Sequence, residues 1–144
     1  MRPIAYVLVV LLFAPLALFG QGRVLYHENT FERTYVKCQI PPTFGNDSLA
    51  LQNYFCEKLQ AAIKRAKGLV TVSVLIDTTG MPLCEWIENN TNVHLHGVAL
   101  AEIVDDMPNW HCGLQNGYKV NCAGLLELAF DNKVLTVNFR IGKK

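Results

Sequence analysis

The sequence lacks any long run of charge of one sign. Its 13 Lys and Arg residues and 12 Asp and Glu residues leave a formal net charge of +1, and the basic residues are scattered along the chain. Binding to nucleic acid depends on clustered cations that displace counterions from the phosphates. Nucleic acid is therefore not an expected partner. Internal repeats and low-complexity segments are absent too, which argues against a solenoid or a repetitive linker.

The sequence also lacks the short motifs of common catalytic and metal-binding sites. No G-x-S-x-G, H-E-x-x-H, P-loop or C-x-x-C pattern occurs. A metal pair at His94 and His96 would require an extended segment, because a helix turns these side chains about 200° apart. We therefore expect no enzyme activity, no cofactor, no metal and no small-molecule substrate. The residues considered for catalysis are His27, His94, His96, His111, Asp105, Asp106 and Cys112.

Long apolar runs are absent except at the N-terminus. Arg2 precedes an apolar run over residues 4–19, and Gly20, Gln21 and Gly22 follow it. This order is typical of a secretory signal peptide. A membrane anchor is the alternative, but the run is shorter than the roughly 20 apolar residues of a spanning helix, and Pro15 interrupts it.

The prediction is a signal peptide over residues 1–21, an extended lead-in over residues 22–40 and one domain over residues 41–144. The leader is expected to be removed near residues 20–22. No cysteine closely follows the apolar run, so a lipidated N-terminal cysteine is not indicated. The expected location is the periplasm or cell envelope. An uncleaved leader would instead anchor the protein in the inner membrane.

Five cysteines invite a disulfide interpretation in an exported chain. Because five is odd, at least one thiol stays free or pairs with another chain. We predict a bond between Cys112 and Cys122, since they flank a loop and a strand start that could fold back within bonding distance. Any single cysteine could instead be a small buried hydrophobic residue.

Periodicity predicts a helix, a hairpin, a second helix and a second hairpin. The helices are expected over residues 48–67, capped by residues 46–48 and ending at Gly68, and over residues 93–107. The strands are expected over residues 70–76, 83–88, 118–130 and 134–141, with a possible bulge at Gly124. Turns are expected at residues 77–80, 116–117 and 131–132.

This order of elements predicts an α+β fold, a small antiparallel sheet with two helices packed on one side. Trp110 could be a core residue, a ring that stacks on a ligand, or an exposed interface residue. The core is favoured because a large aromatic side chain at the end of an element commonly closes it. The predicted core contains Phe55, Leu59, Val72, Val74, Leu95, Ala99, Met107, Trp110, Val137 and Phe139.

A series of motifs in the second half of the chain is more specific than this periodicity. The motifs are, in order, Gly68, Ile76-Asp77 with Gly80, Leu95 with Ala99, Met107-Pro108-Asn109-Trp110, Gly113, Gln115-Asn116-Gly117 and Val137-Asn138-Phe139-Arg140-Ile141. This series resembles the C-terminal domain of the TonB energy-transducer family, over about residues 41–142. The segment Pro41-Pro42-Thr43-Phe44-Gly45 and the helix after it are similar to the stretch before the domain in one branch of the family. Cys112 departs from the pattern, because the family usually has proline there, and residues 122–133 look like an additional hairpin.

The resemblance implies a periplasmic protein-binding domain that engages segments of outer-membrane transporters in energy-dependent transmembrane transport. A full transducer has a membrane anchor and a long proline-rich spacer. Here the residues between Gln21 and Pro41 would reach at most about 70 Å. The resemblance therefore implies the binding behaviour more securely than the energy-transducing role. The alternative is a structural or accessory envelope protein that self-associates, as a homodimer, through an unpaired edge or the odd cysteine.

The last strand is the predicted binding site. Residues 134–141 alternate between apolar and polar side chains, as expected at the margin of a sheet, and an unpaired edge could accept an extended protein or peptide partner as an added strand. The alternatives are that this strand lies inside the sheet, or that residues 24–36 cover its edge. Arg140, Lys143 and Lys144 would favour an acidic peptide. The predicted partner-binding residues are Val134, Thr136, Asn138 and Arg140, and proline at Asn138 is the expected probe of the edge.

Overall fold

A computed structural model of the chain describes residues 21–25, 33–95 and 97–143. The predicted signal peptide lies outside these residues, apart from Gln21. Within the described part, the elements in chain order are β1 (Gln21–Leu25), α1 (Ala50–Lys58), α2 (Gln60–Ile63), β2 (Gly68–Ile76), β3 (Pro82–Thr91), α3 (Gly97–Asp105), β4 (Gly113–Gln115), β5 (Tyr118–Val120), β6 (Cys122–Asp131) and β7 (Val134–Ile141).

The main sheet has five antiparallel strands in the order β1-β3-β2-β6-β7. Two of its neighbouring pairs, β2 with β3 and β6 with β7, are hairpins, as predicted. Strands β4 and β5 form a separate two-stranded ribbon. The α+β fold with a small antiparallel sheet is confirmed. Strand β1 begins at Gln21, the last residue of the predicted signal peptide, and continues into the segment expected to be an extended lead-in. It pairs with β3 at the edge opposite β7.

The core lies between one face of the sheet and the helices. Alternate residues of β2, at positions 70, 72, 74 and 76, are fully buried and share a cluster with Phe55 of α1 and Val104 of α3. Alternation of apolar residues places them on one face because strand side chains have a period of two. Leu75 and Leu125, which lie on the opposite face, are fully buried as well. The centre of the sheet is therefore buried on both faces, unlike its margin at β7. The face opposite the helices also holds polar side chains, since the Ser73 hydroxyl donates to the buried Glu85 carboxylate at 2.9 Å.

The predicted core is correct except at one position. Leu59, Leu95 and Phe139 are half-buried against the core, and Ala99 is exposed. Helix α3 begins at Gly97 rather than near residue 93. The four-residue spacing over residues 95–107 therefore included positions before the helix, and the buried face of α3 is displaced from the predicted one. Over residues 99–105 of α3, the buried residues are Leu100, Ala101 and Val104.

The first helix is shorter than predicted and is interrupted. It begins after Leu49, which has no polar side-chain atom that could cap the helix. The Asp47 carboxylate accepts a 2.8 Å hydrogen bond from the Leu49 N–H. The predicted cap therefore bonds to the residue before the helix and not to an N–H of its first turn. Leu59 separates α1 from α2, which ends at Ile63. Gly68, predicted to stop the helix, instead opens β2 at φ 126°.

The long predicted strand over residues 118–130 is two strands divided at Asn121. The Asn121 carbonyl accepts from the Tyr35 N–H at 2.8 Å, and its side chain accepts from the Thr78 N–H at 3.1 Å. These bonds direct β5 away from the main sheet. Gly124 is not a bulge, because its pairing continues without a shift, and its missing side chain leaves room for the Phe139 ring. The irregularity lies at Ser73 and Val74 instead.

Turns are present at residues 77–80 and 116–117, as predicted, and next to the position predicted between β6 and β7. The Asp77 carboxylate accepts hydrogen bonds from the Thr79 N–H, the Thr79 hydroxyl and the Met81 N–H, at 2.6–2.9 Å. Gly80 adopts φ 84°, and its carbonyl accepts a hydrogen bond from the backbone N–H of Trp110 at 2.7 Å. At the β6–β7 turn the two central residues are Asn132 and Lys133, one position later than predicted, both with positive φ.

Candidate functional site

Strand β7 is an edge of the sheet and pairs only with β6 among the described strands. In an antiparallel pair, successive residues direct their backbone groups alternately toward the partner strand and away from it. Val137 directs its N–H away from β6, because it donates to the Gln52 side chain at 2.8 Å. Positions 135, 137, 139 and 141 therefore face outward, and positions 134, 136, 138 and 140 bond to β6.

The first half of this edge is occupied by a side chain of α1. The Gln52 amide group donates to the Leu135 carbonyl and accepts from the Val137 N–H. The amide thereby imitates a neighbouring strand over one pair of backbone groups. The outward groups that follow are the Val137 carbonyl, both groups of Phe139 and the Ile141 N–H. None of them bonds to another part of the chain that the structure describes.

The predicted partner-binding residues lie on the strand but not on its outward backbone positions. Val134, Thr136, Asn138 and Arg140 are exposed, with their side chains on the face away from the core. Their backbone groups, however, pair with β6. Proline at Asn138 would break the β6–β7 ladder rather than the edge. That choice of probe is wrong, because the sequence does not show which positions face outward.

A segment that precedes α1 runs beside the end of β7. We name residues 35–48 the wall segment. The Tyr35 backbone forms hydrogen bonds with Asn121 and Ala123, the two neighbours of Cys122. Tyr35 therefore lies beside β6, beyond the end of β7. Farther along, Ile40 exchanges two hydrogen bonds with Leu114, and Thr43 exchanges two with His111, at 2.9–3.1 Å. The alternative that residues 24–36 cover the edge is not met by residues 24 and 25, which lie in β1 at the opposite edge. Tyr35, beside β6 and beyond the end of β7, bonds through its backbone to Asn121 and Ala123 rather than to β7.

A groove of about 910 Å³ lies between the wall segment and the end of β7. Its residues come from four parts of the chain: the wall segment, α1, the loop before β4, and β7. They are Lys37, Cys38, Pro41, Pro42, Thr43, Phe44, Gly45, Asn46, Asp47, Ser48, Leu51, Trp110, Phe139, Arg140 and Ile141. The outward backbone groups of Phe139 and Ile141 thus lie on residues that line a groove.

Three aromatic rings form the apolar part of the groove. The Trp110 ring centroid lies 5.3 Å from that of Phe44 and 4.8 Å from that of Phe139. Trp110 is only 4% exposed, which confirms its predicted place in the core. Its indole N–H is buried and has no acceptor among the described residues. Buried donors without a partner are rare and costly, so this N–H lowers the stability that burial of the ring provides.

Charges at the groove are few and mostly positive. Lys37 and Arg140 contribute cations, and Asp47 contributes an acid whose carboxylate is engaged by the Leu49 N–H. Arg140 also contacts Glu127 at 3.1 Å, with 54% and 31% of the two side chains exposed. An exposed pair of this kind contributes little stability and is readily exchanged. Arg140 therefore remains accessible to an acidic partner group.

The cysteines divide into a core group and a group beside the groove, and all five are free thiols. Burial, with added repulsion from Asp105 and Glu85, raises the pKa of Cys84 to about 12. Cys122 is fully buried, and burial followed by its contact with Cys38 raises its pKa to about 12 as well. The predicted partner Cys112 also adds to this shift, but the sulfur in contact with Cys122 is that of Cys38, at 3.1 Å.

The described residues that were considered for catalysis lie in three parts of the chain: the loop before α3, the end of α3 and the loop before β4. His94 and His111 are exposed, in the loops before α3 and β4, and His27 and His96 lie outside the described residues. The Asp105 carboxylate accepts from the Cys84 N–H at 2.8 Å, which ties it to β3. In the part of the chain that the structure describes, no group of His, Cys, Asp and Glu side chains is arranged to hold a metal ion. No described helix is long and apolar enough to cross a membrane.

The sequence interpretation missed most of the groove. Phe44 and the two prolines before it were part of the family resemblance but were not recognised as a wall. Gln52 gave no signal, because a polar residue in an amphipathic helix is usually solvated. Lys37 and Cys38 were assigned to an extended lead-in. In comparisons with protein-family models, curated proteins and solved structures, no significant match to the chain was found.

Proposed function

We propose that this domain is a periplasmic binding module that captures an extended segment of another envelope protein. The partner class follows from the resemblance to the TonB C-terminal domain, namely periplasmic segments of outer-membrane transporters in energy-dependent transport. The observation that carries the proposal is the position of the free part of β7. Its outward backbone groups at residues 137–141 belong to a strand whose end lines the aromatic groove.

An added strand would use four backbone groups of β7. They are the Val137 carbonyl, the N–H and carbonyl of Phe139, and the Ile141 N–H. At about 1 kcal/mol for each net hydrogen bond, these groups contribute about 4 kcal/mol, which does no more than offset the cost of association. Tighter binding requires side-chain contacts, and alternate residues of the partner strand point to the same face. The rings of Phe44 and Phe139, both half-buried, supply the apolar contacts in the groove.

Charge adds a preference for acidic segments. Lys37 and Arg140 lie on two sides of the groove, and Lys143 follows β7. Complementary charge chiefly raises the association rate and fixes orientation, and salt weakens it. The substitution Lys37→Glu should weaken capture of an acidic segment at low salt. The same reversal at Lys119, an exposed residue of β5 that does not line the groove, is the matched control and should leave capture unchanged.

Photocross-linking in intact cells tests the choice of partner. A photoreactive phenylalanine analogue replaces Ser48, an exposed residue of the groove, and in the control it replaces Tyr118, which is 77% exposed on β5. The proposal predicts that Ser48, and not Tyr118, becomes linked to a periplasmic segment of an outer-membrane transporter. Linkage of Ser48 only to a second copy of this chain would overturn the transporter proposal in favour of self-association. Equal labelling from both positions would show that the groove is not the site.

A further inference from the structure

Two thiols that are far apart in sequence meet beside the groove. The sulfurs of Cys38 and Cys122 lie 3.1 Å apart, although 84 positions separate the residues. A disulfide has a sulfur–sulfur distance of about 2.05 Å, so closure needs a movement of roughly 1 Å. We assign that movement to Cys38, because Cys38 lies outside the strands whereas Cys122 begins β6. Cys38 is half-buried, whereas Cys122 is fully buried at the start of β6.

The surrounding chain holds the two residues in this position. The hydrogen bonds of Tyr35 fix the wall segment next to Cys122, and those of Ile40 fix it to β4. Both sulfurs lie over Gly113. A side chain at that position would collide with Cys122, and its Cβ would lie only 3.0 Å from the Cys38 sulfur. The absence of a side chain at Gly113 therefore leaves the space in which the two thiols meet.

We propose that Cys38 and Cys122 form a disulfide under oxidising conditions, and that this bond fastens the wall segment to the main sheet. Cys112 remains outside the bond. The inference is independent of the peptide-binding proposal, since it concerns the two thiols and the wall segment alone. It assigns a redox modification site to the wall of the groove.

The bond forms by exchange with a disulfide oxidant, either a protein or a small molecule. The Cys38 thiolate is the attacking group, because Cys38 is the more accessible of the two. It attacks one oxidant sulfur and releases the other as a thiol, which leaves a mixed disulfide on Cys38. The Cys122 sulfur then loses its proton, attacks Cys38 and releases the second oxidant thiol. The protein loses two electrons and two protons, and the oxidant disulfide becomes two thiols.

The bond would act on the groove through the wall segment. Cys38 itself lines the groove, next to Lys37. In the reduced protein, backbone hydrogen bonds and the Gln39 contacts with Gln115 and Asn116 hold this wall. In the oxidised protein a covalent bond closes a loop of more than 80 residues, and long closed loops gain most from cross-linking. Oxidation should therefore fix the wall, and reduction should release it.

Peptide mapping and thermal melting of the full chain test the proposal. After treatment with oxidised glutathione, alkylation and digestion without reduction should yield a peptide pair joined through Cys38 and Cys122. The melting temperature of the oxidised protein should exceed that of the reduced protein by about 10–20 °C. The variant Cys38→Ser should lose this difference, and the matched control Cys112→Ser should keep it. Cleavage by trypsin after Lys37 should be slower in the oxidised wild type than in Cys38→Ser.

Two results would overturn the assignment. In the first, Cys122 is found joined to Cys112, with Cys38 alkylated. In the second, both Cys38 and Cys122 are alkylated after the oxidant has converted other thiols. Mapping of the wild-type protein decides between these results and the proposal even if Cys38→Ser does not fold.

Discussion

The contact of Gln52 with the edge of β7 gives a prediction whose size can be worked out from the structure. We expect Gln52→Met to lower the free energy of unfolding, although Met has nearly the same length and helix propensity as Gln. The change removes the donor to the Leu135 carbonyl and the acceptor for the Val137 N–H. The residues that carry these backbone groups are only 2% and 8% exposed, so water cannot readily replace the amide.

Each net hydrogen bond contributes about 0.5–1.5 kcal/mol, and a buried backbone group left without a partner costs about 1–3 kcal/mol. Partial hydration and the apolar surface of Met offset some of this cost. We therefore expect a loss of about 2–3 kcal/mol. The matched control is Gln60→Met, at an exposed position of α2, which should change the free energy of unfolding by no more than about 0.5 kcal/mol.

Equilibrium unfolding in urea measures both variants, and the slope with denaturant should equal that of the wild type. Amide exchange at Val137 should also accelerate in Gln52→Met, because its N–H loses its acceptor. If Gln52→Met and Gln60→Met have the same stability within about 0.5 kcal/mol, the side chain of Gln52 does not cover the edge in solution. The open part of β7 would then be longer than residues 137–141.

Three further predictions concern the support of the groove. Trp110→Ala should cost about 3–5 kcal/mol in urea unfolding, and an unchanged midpoint would place the ring at the surface. Gly80→Ala should lower the free energy of unfolding by at least about 2 kcal/mol more than Gly117→Ala does. Both glycines have φ near 80°, but only at Gly80 would a side chain meet the Trp110 carbonyl. Equal losses in the two variants would refute that close approach. Partial burial acts to raise the pKa of Asp77, but hydrogen bonds from Thr79, Met81 and Gly80 outweigh it and lower that pKa. The stabilisation is therefore present above the unfolded pKa of about 3.9 and is lost as pH falls through the folded pKa. Asp77→Asn should be less stable than the wild type at pH 7 and nearly equal to it near pH 2. A stability difference that stays constant between these pH values would contradict the assignment.

The sequence was sufficient for the elements whose signals are local. The alternation of apolar residues in β2 and β7 and the Asp77 to Gly80 turn predicted the two hairpins, because a strand period and a turn carboxylate act within a few residues. The Met107 to Trp110 motif likewise indicated a core aromatic residue. In each of these cases the neighbouring residues decide the structure, so a reading along the chain was enough.

The remaining features depend on contacts between distant residues. The split at Asn121 arises from its bonds to Tyr35 and Thr78, and the position of Gly124 is explained by the Phe139 ring. The register of β7 with β6 decides which alternate residues of β7 direct their backbone groups outward. A shift of one residue would exchange the two sets. The predicted binding strand, β7, is an edge, as expected. The backbone groups available at that edge belong to residues 135, 137, 139 and 141, which alternate with the predicted binding residues.

Amide hydrogen exchange of β7 with and without a bound segment tests the central claim most directly. The probes are synthetic peptides that match the periplasmic segments of outer-membrane transporters from the same cell. Capture by strand addition predicts that the amides of Phe139 and Ile141 become protected when such a peptide binds. The amides of Asn138 and Arg140, which already pair with β6, should be protected with and without it. Binding that leaves exchange at Phe139 and Ile141 unchanged would contradict the account and place the contact elsewhere.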